Sequence, residues 1–210
     1  MVALDQQLLS GLNALALDLP SGASERLLCY AGMLQKWNRV YNLTAIREPR
    51  RLITHHILDC LAVLPHTPPG RLVDVGTGAG LPGIPLAVAR PDQPVTLLDS
   101  NHKKGAFLHQ VLIDCKLSNA QVQIGRAELW KPEILFDVAI SRAFADLPGF
   151  VDAALHLVRP GGSLIAMKGI YPDEELAQLP SSVRLLRVVS LDVPGLEAQR
   201  HVVITQRVSD

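Results

Sequence analysis

The apolar positions of this chain follow two regimes. Up to about residue 65 they recur every three or four residues, the spacing of amphipathic helices. In "LDQQLLSGLNALAL" the leucines at 4, 8, 9, 12 and 15 share one face. The stretch "ERLLCYAGMLQKWNRV", opened by Ser24 and its neighbours with Glu25 in the first turn, repeats the pattern. A third helical piece starts near Pro49, "RRLITHHILDCLAVL", and stops at the breaker cluster "PHTPPG". Beyond that cluster, short β-branched runs alternate with helical segments. "RLVDVG", "PVTLLDS", "AQVQIG", "FDVAISRA" and "GGSLIAMKG" read as strands, and their alternation with helices predicts an α/β fold with a parallel sheet covered on both faces. The tail differs: "VRLLRVVSL" and "RHVVITQRV" are separated only by "DVPGLEAQ", too short for a crossover helix, so they are expected to pair antiparallel. The expected organisation is a helical extension over 1–65 packed on a core domain over 70–210.

Composition narrows the picture. The 210 residues include 20 Lys plus Arg and 20 Asp plus Glu, so any nucleic-acid contact must come from a local patch. Cys29, Cys60 and Cys115 are scattered and form no CxxC spacing, which fits a reducing cytoplasm rather than a disulfide framework or a zinc knuckle. No window approaches the ~18 uninterrupted apolar residues of a membrane span, and "MVALDQQLLS" lacks the basic start of a signal peptide. A soluble protein is expected.

The densest chemical signal is "LVDVGTGAGLPG", residues 72–83. Placed after the first strand, its glycines bring bare backbone and a helix N-terminus to the carboxyl edge of the sheet, where ligands of α/β folds bind. Asp74, Gly76, Thr77, Gly78 and Gly80 are the candidate contacts. Gly78, Gly80 and Gly83 also spell GxGxxG, but a dinucleotide loop puts its first glycine where the strand ends, and Gly76 holds that place. An acid within the strand, Asp74, suits a cationic ligand better than a pyrophosphate. Asp99, ending the next strand, is placed to accept hydrogen bonds from ribose hydroxyls; capping the following helix is its alternative role, for which Ser100 and Asn101 are better placed. A nucleoside with a positively charged appendage describes S-adenosylmethionine.

The chain resembles the bacterial family of small-subunit ribosomal RNA guanine-N7 methyltransferases once called glucose-inhibited division protein B. The resemblance rests on "YNLTAI" (41–46), "HHILDCL" (55–61), "DVGTGAGLPGIPLA" (74–87), "KKGAFL" (103–108), "GRAE" (125–128), "SRAFADL" (141–147), "MKG" (167–169) and "RHVVI" (200–204). It implies a class I S-adenosylmethionine-dependent methyltransferase: a Rossmann-like, mostly parallel seven-stranded sheet with a C-terminal antiparallel pair. It also implies methylation of N7 of one 16S guanine near the decoding region. Family cofactor contacts map onto Gly76, Leu81, Ala127, Glu128 and Arg142, and basic positions linked to RNA or function onto Arg126 and Arg200. Two positions depart: Ala79 stands where the family often has proline, and Cys60 where it often has serine.

Guanine N7 needs no general base, so positioning should carry catalysis and no nucleophile or paired carboxylates are required. Arg142, ending the fourth strand, is the expected positioning residue; an ion pair with Asp74 or Asp146 is its ordinary alternative. Glu128 is placed for the adenine edge of the cofactor, with starting the next helix as its alternative role. Arg47, Lys103, Lys104, Arg126, Lys168 and Arg200 are the candidate RNA contacts, each otherwise a solvated charge. Asn42 and Thr44 either close over the pocket or cap a turn. Of His55, His56 and Asp59 only His55 and Asp59 share a helical face, and two ligands make no metal site, so none is expected. The partner expected is small-subunit RNA or the 30S particle, met by a monomer. An NAD-dependent oxidoreductase and a non-catalytic ribosome-binding module are the competing classes.

Overall fold

The computed structural model describes residues 2–142 and 144–208. Its N-terminal part is helical. Helix α1 (Val2–Ala14) is followed by α2 (Ala23–Tyr41), which starts after Gly22, a residue with φ of 78°, just before Ser24. The third piece is not one regular helix. Between α3 (Pro49–Leu52) and α4 (Asp59–Leu61) lies a π-helical turn, Ile53–Leu58. Such turns wind more widely than an α-helix and recur at functional sites.

Seven strands form one sheet: β1 (Leu72–Val75), β2 (Val95–Asp99), β3 (Ala120–Ile124), β4 (Phe136–Arg142), β5 (Val158–Lys168), β6 (Val183–Ser190) and β7 (His201–Arg207). Their order is β3-β2-β1-β4-β5-β7-β6. The first five run parallel, and β7 inserts antiparallel between β5 and β6. Ala143, which the sequence assigns to the end of the fourth strand, lies outside the described residues.

Side chains on β1 alternate between two cores, as period-two geometry requires. Leu72 joins the core built with α1, α2, α5 (Gly83–Ala89) and α6 (His102–Asp114), whereas Val73 and Val75 join the core under α7 (Leu147–Ala154). The same alternation sets Leu97 apart from Leu98 and Ile140 apart from Ala139. Because both faces are covered, the strands read as nearly continuous apolar runs. The N-terminal helices share the first core, and the fully buried Tyr30 on α2 donates from its hydroxyl to the carbonyl of Ala79, at 2.7 Å. That bond ties the helical extension to the glycine loop. No helix among the described residues is long and apolar enough to cross a membrane.

Candidate active site

The carboxyl ends of β1, β2, β4 and β5 deliver Gly76, Asp99, Arg142 and Lys168 to one edge of the sheet. After β1 the backbone stays stitched to β2, with Gly76 and Thr77 both donating to the Leu98 carbonyl at 2.9 and 3.0 Å. It then turns through Gly76 (φ 68°) and Gly78 (φ 60°), conformations that L side chains rarely adopt. A Cβ added at Gly76 would meet nothing within 4 Å, and one at Gly78 only the Gly76 carbonyl at 3.9 Å. These two glycines leave an open shelf of backbone, a cradle that a side chain would fill. Gly80 works differently: a Cβ there would run into Ile84 and Leu108, so it permits close packing of the loop on α6.

Asp99 sets the height of the shelf. Its Oδ2 accepts from Gly78 N–H at 2.9 Å and from Lys104 Nζ at 3.3 Å, and its Oδ1 accepts from Asn101 N–H at 2.9 Å. Asn101 caps α6, its side chain accepting from the amides of Lys103 and Lys104. Helix capping is thus Asn101's task, and Asp99 remains beside the shelf.

Next to the shelf, beyond β4 and β5, opens a cleft of about 530 Å³. Three charges from three elements meet on its wall. Arg142 Nη1 donates to Asp59 Oδ2 at 3.2 Å, and Arg200 Nε to Asp59 Oδ1 at 2.8 Å. Arg142 Nη1 also lies 3.2 Å from the His55 carbonyl and 3.3 Å from His56 Nδ1. His56 is held from both sides, with Nδ1 2.9 Å from the His55 carbonyl and Nε2 2.7 Å from Thr44 Oγ1. Thr44 Oγ1 accepts from the Ile46 amide, so its own proton points to His56 Nε2 and the ring proton sits on Nδ1. Burial, helped by the Arg142 guanidinium, brings the His56 pKa down to about 4 and keeps the ring neutral. On the other side Lys168 pairs with Glu175 at 2.8 Å, and Glu175 Oε2 accepts from the Leu147 amide at 2.6 Å.

The family model for the rRNA small subunit methyltransferase G family matches residues 23–203. This chain belongs to that family. Among curated relatives it is 50% identical over 200 residues to Ribosomal RNA small subunit methyltransferase G of Laribacter hongkongensis, covering 95% of this chain and 97% of that protein. It is 50% identical over 208 residues to the protein of the same name from Nitrosospira multiformis, covering 96% of each. Among solved structures it is similar to a SAM dependent methyltransferase from Aquifex aeolicus, with TM-score 0.60, 18% identity and coverage of 77% of this chain and 94% of that one. TrmN from Thermus thermophilus gives TM-score 0.56 and 18% identity over 81% of this chain and 53% of that one. At such identities the likeness speaks for the fold, a class I methyltransferase sheet.

Against this family member's geometry, the residues predicted from sequence divide. Arg142, Lys168 and Arg200 converge on the cleft. Arg47 does not; it lines a separate recess of about 220 Å³ with Asn38 and Arg39. Lys103 is exposed on the first turn of α6, and Lys104 pairs with Asp99. Arg126 and Glu128 flank Ala127 on the short turn after β3 and pair with each other at 3.6 Å, largely in solvent. The alternative considered for Arg142, an ion pair with Asp74 or Asp146, is replaced by one with Asp59, which takes the guanidinium.

Three predicted cofactor contacts have side chains turned away from the shelf. The carboxylate of Asp74 is fully buried, and its Oδ2 accepts from Thr77 Oγ1 at 2.6 Å and Gly83 N–H at 2.7 Å. It closes the loop onto the start of α5 from behind instead of offering charge to the shelf, and the Thr77 side chain is turned back by the same bond. Leu81 packs its side chain into the core, leaving only its backbone for a ligand. Sequence reasoning missed Asp59 as a partner of arginines and missed Glu175 altogether. A carboxylate inside the apolar run "HHILDCL" was the available signal for the first; nothing local marks the second.

Proposed function

We propose that this chain transfers the methyl group of S-adenosylmethionine to N7 of one guanine of small-subunit (16S) ribosomal RNA near the decoding region, by direct in-line attack without a general base. Family membership supports the rRNA substrate. The observation that carries the finer reading is the state of the acids and bases around the cleft. His56 is neutral with both ring nitrogens engaged, both Asp59 oxygens are in ion pairs, and Glu175 holds Lys168 and the Leu147 amide. Each of these is committed to holding another group in place, and His55, which also lines the cleft, has Nδ1 2.6 Å from Thr54 Oγ1 and Nε2 3.4 Å from Arg51 Nη2. A nucleophile that arrives with an available lone pair fits such a cleft, and guanine N7 is one at neutral pH.

The open backbone at Gly76 and Gly78, with the Asp99 carboxylate beside it, fits the nucleoside part of S-adenosylmethionine. When bound, the cofactor supplies a methyl group on a positively charged sulfur. The chain's residues do the rest by placement. The loop and Asp99 fix the donor, Arg142 lines the cleft at the end of β4, the strand next to β1, and Arg200 and Lys168 border the cleft where O6 or phosphate oxygens of the RNA would approach. Holding two reactants in line removes up to ~7–11 kcal/mol of the cost of their encounter in favourable cases. Ala127 and Glu128, after β3, are proposed to border the cofactor base, and Arg47, Lys103, Lys104 and Arg126 to meet RNA phosphates outside the cleft. In this reading the 1–65 extension acts as a buttress of the 70–210 methyltransferase domain, and the protein works as a monomer on the RNA or the 30S particle.

The test is transfer of a labelled methyl group from S-adenosylmethionine to unmodified small subunits and, separately, to naked 16S RNA, mapped by cleavage at 7-methylguanosine. Label at one guanine is expected. Label confined to other bases, or none despite cofactor binding, overturns the N7 assignment.

A further inference from the structure

Asp59 stands at the first residue after the π-helical turn and is 2% exposed. A carboxylate buried to that degree costs several kcal/mol unless both oxygens find strong partners. Here the partners are two guanidinium groups that arrive from distant parts of the chain, Arg142 at the end of β4 and Arg200 just before β7. Each remains partly open to the cleft, with side-chain exposures of 21% and 24% against 3% for Asp59. Two cations thus share one anion, and the trio keeps one net positive charge directed at the cleft. The neutral His56 leaves that charge unaltered, and the Lys168–Glu175 pair cancels internally.

We infer that Asp59 is a positioning residue of the methylation reaction: it fixes the spacing and tilt of Arg142 and Arg200, and so presents the single unbalanced positive charge that receives the RNA. The inference rests on the function proposed above and adds a role that neither arginine could fill alone. A guanidinium on a long flexible stem loses much side-chain freedom on gripping a ligand, and a fixed carboxylate removes part of that cost beforehand. The π-helical turn supplies the means. Its wider winding brings the His55 carbonyl, His56 Nδ1 and Asp59 Oδ2 together around the one nitrogen Arg142 Nη1. Arg142 is thereby oriented by two acceptors, the His55 carbonyl and Asp59 Oδ2, with the protonated His56 Nδ1 packed beside it, while Arg200 depends on the remaining oxygen of the same carboxylate.

The test uses the full chain and the variants Asp59→Asn, Arg200→Gln and their combination. Asparagine keeps the shape but turns one oxygen into an NH₂ donor, which must face an arginine that also donates. With unmodified small subunits limiting and S-adenosylmethionine saturating, each single variant should lower kcat/KM by about tenfold or more. The double variant should lie within about threefold of the weaker single, because both remove the same interaction. Losses that multiply would overturn the inference, as would wild-type kcat/KM in Asp59→Asn. A readout independent of activity is the ¹H–¹⁵N signal of the Arg200 Nε–H group, expected to exchange slowly with solvent in the wild type and rapidly in Asp59→Asn. An unchanged signal overturns the inference whatever the enzyme methylates. Absence of methyl transfer by the wild type, with the Arg200 signal behaving as expected, would instead count against the proposed function and leave the clamp standing.

Discussion

Replacing Asp74 by asparagine should stabilise this protein at neutral pH, and the gain should disappear in acid. The carboxylate has no exposure to solvent, and while Oδ2 accepts two hydrogen bonds, Oδ1 has no partner. Burial pushes the pKa up to about 6, against the Thr77 and Gly83 hydrogen bonds and the Arg142 charge that lower it, with Asp99 adding to the rise. The folded chain therefore binds this proton more tightly than the unfolded chain does. Between about pH 4 and 6 the folded state carries the extra proton, so the Asp74 contribution to stability falls as pH rises through that window and is constant above it. A difference of about two pKa units corresponds to about 3 kcal/mol. Asparagine can still offer its carbonyl to Thr77 and Gly83 but has no charge to bury. At pH 8 Asp74→Asn should unfold about 6–12 °C above the wild type, since 1 kcal/mol moves Tm by about 2–4 °C in a chain of this size. Thermal unfolding of both proteins at pH 5, 6, 7 and 8, without cofactor, reads the difference directly. A Tm difference that stays constant across those values, or a less stable Asp74→Asn at pH 8, would refute the reasoning.

Three further outcomes are expected. His56 has the opposite sign: its folded pKa, about 4, lies below the unfolded value, so the unfolded chain takes up the proton first and stability is lost as pH falls from about 6.5 to 4. His56→Gln should lose less stability than the wild type between pH 7 and 5, and parallel Tm profiles would show that His56 is not held neutral. Tyr30→Phe removes the hydroxyl that donates to the Ala79 carbonyl at 2.7 Å and leaves that buried carbonyl without its partner. It should cost about 1–3 kcal/mol in denaturant unfolding and weaken S-adenosylmethionine binding severalfold, and an unaltered midpoint would sink the idea that α2 anchors the loop. Asp99→Ala should weaken S-adenosylmethionine binding by about 10–100-fold in calorimetry, and equal affinity in the two proteins would remove Asp99 from the cofactor site.

Most of the fold was legible because the strands are buried on both faces and bounded by breakers. "PVTLLDS" and "AQVQIG" extend only a residue or two beyond β2 and β3, and the antiparallel tail followed from the short connection before β7. The start of β5 was not. The sequence reading starts the strand at Gly161 with "GGSLIAMKG", yet β5 begins at Val158 and runs through Gly161, which has a φ of 75°. Its pairing with β4 is irregular between Phe136 and Val138, and a Cβ at Gly162 would collide with the Asp137 carbonyl. Here the neighbouring strand, rather than local preference, decides the backbone path.

The site was legible where backbone alone makes it and illegible where charges from distant elements meet. Four glycines behind a strand announce an exposed loop, and Gly76 and Gly78 supply it. Strand alternation, applied to one more residue, would also have placed Asp74 correctly. It shares the face of Leu72, beneath α5, and an acid on an inner face serves the next helix before it serves a ligand. Asp59 is the harder case. A 3.6-residue wheel puts His55 and Asp59 on one face and leaves His56 aside, which is why the trio reads as a failed metal site. In the π-helical turn the wheel does not apply, and His56 Nδ1 and Asp59 Oδ2 both reach Arg142. The second arginine is 141 residues away in sequence, brought over only because β7 inserts beside β5. The pairing is a property of the sheet order, so substitutions that shift β7 should disturb Arg200 before they disturb the glycine loop.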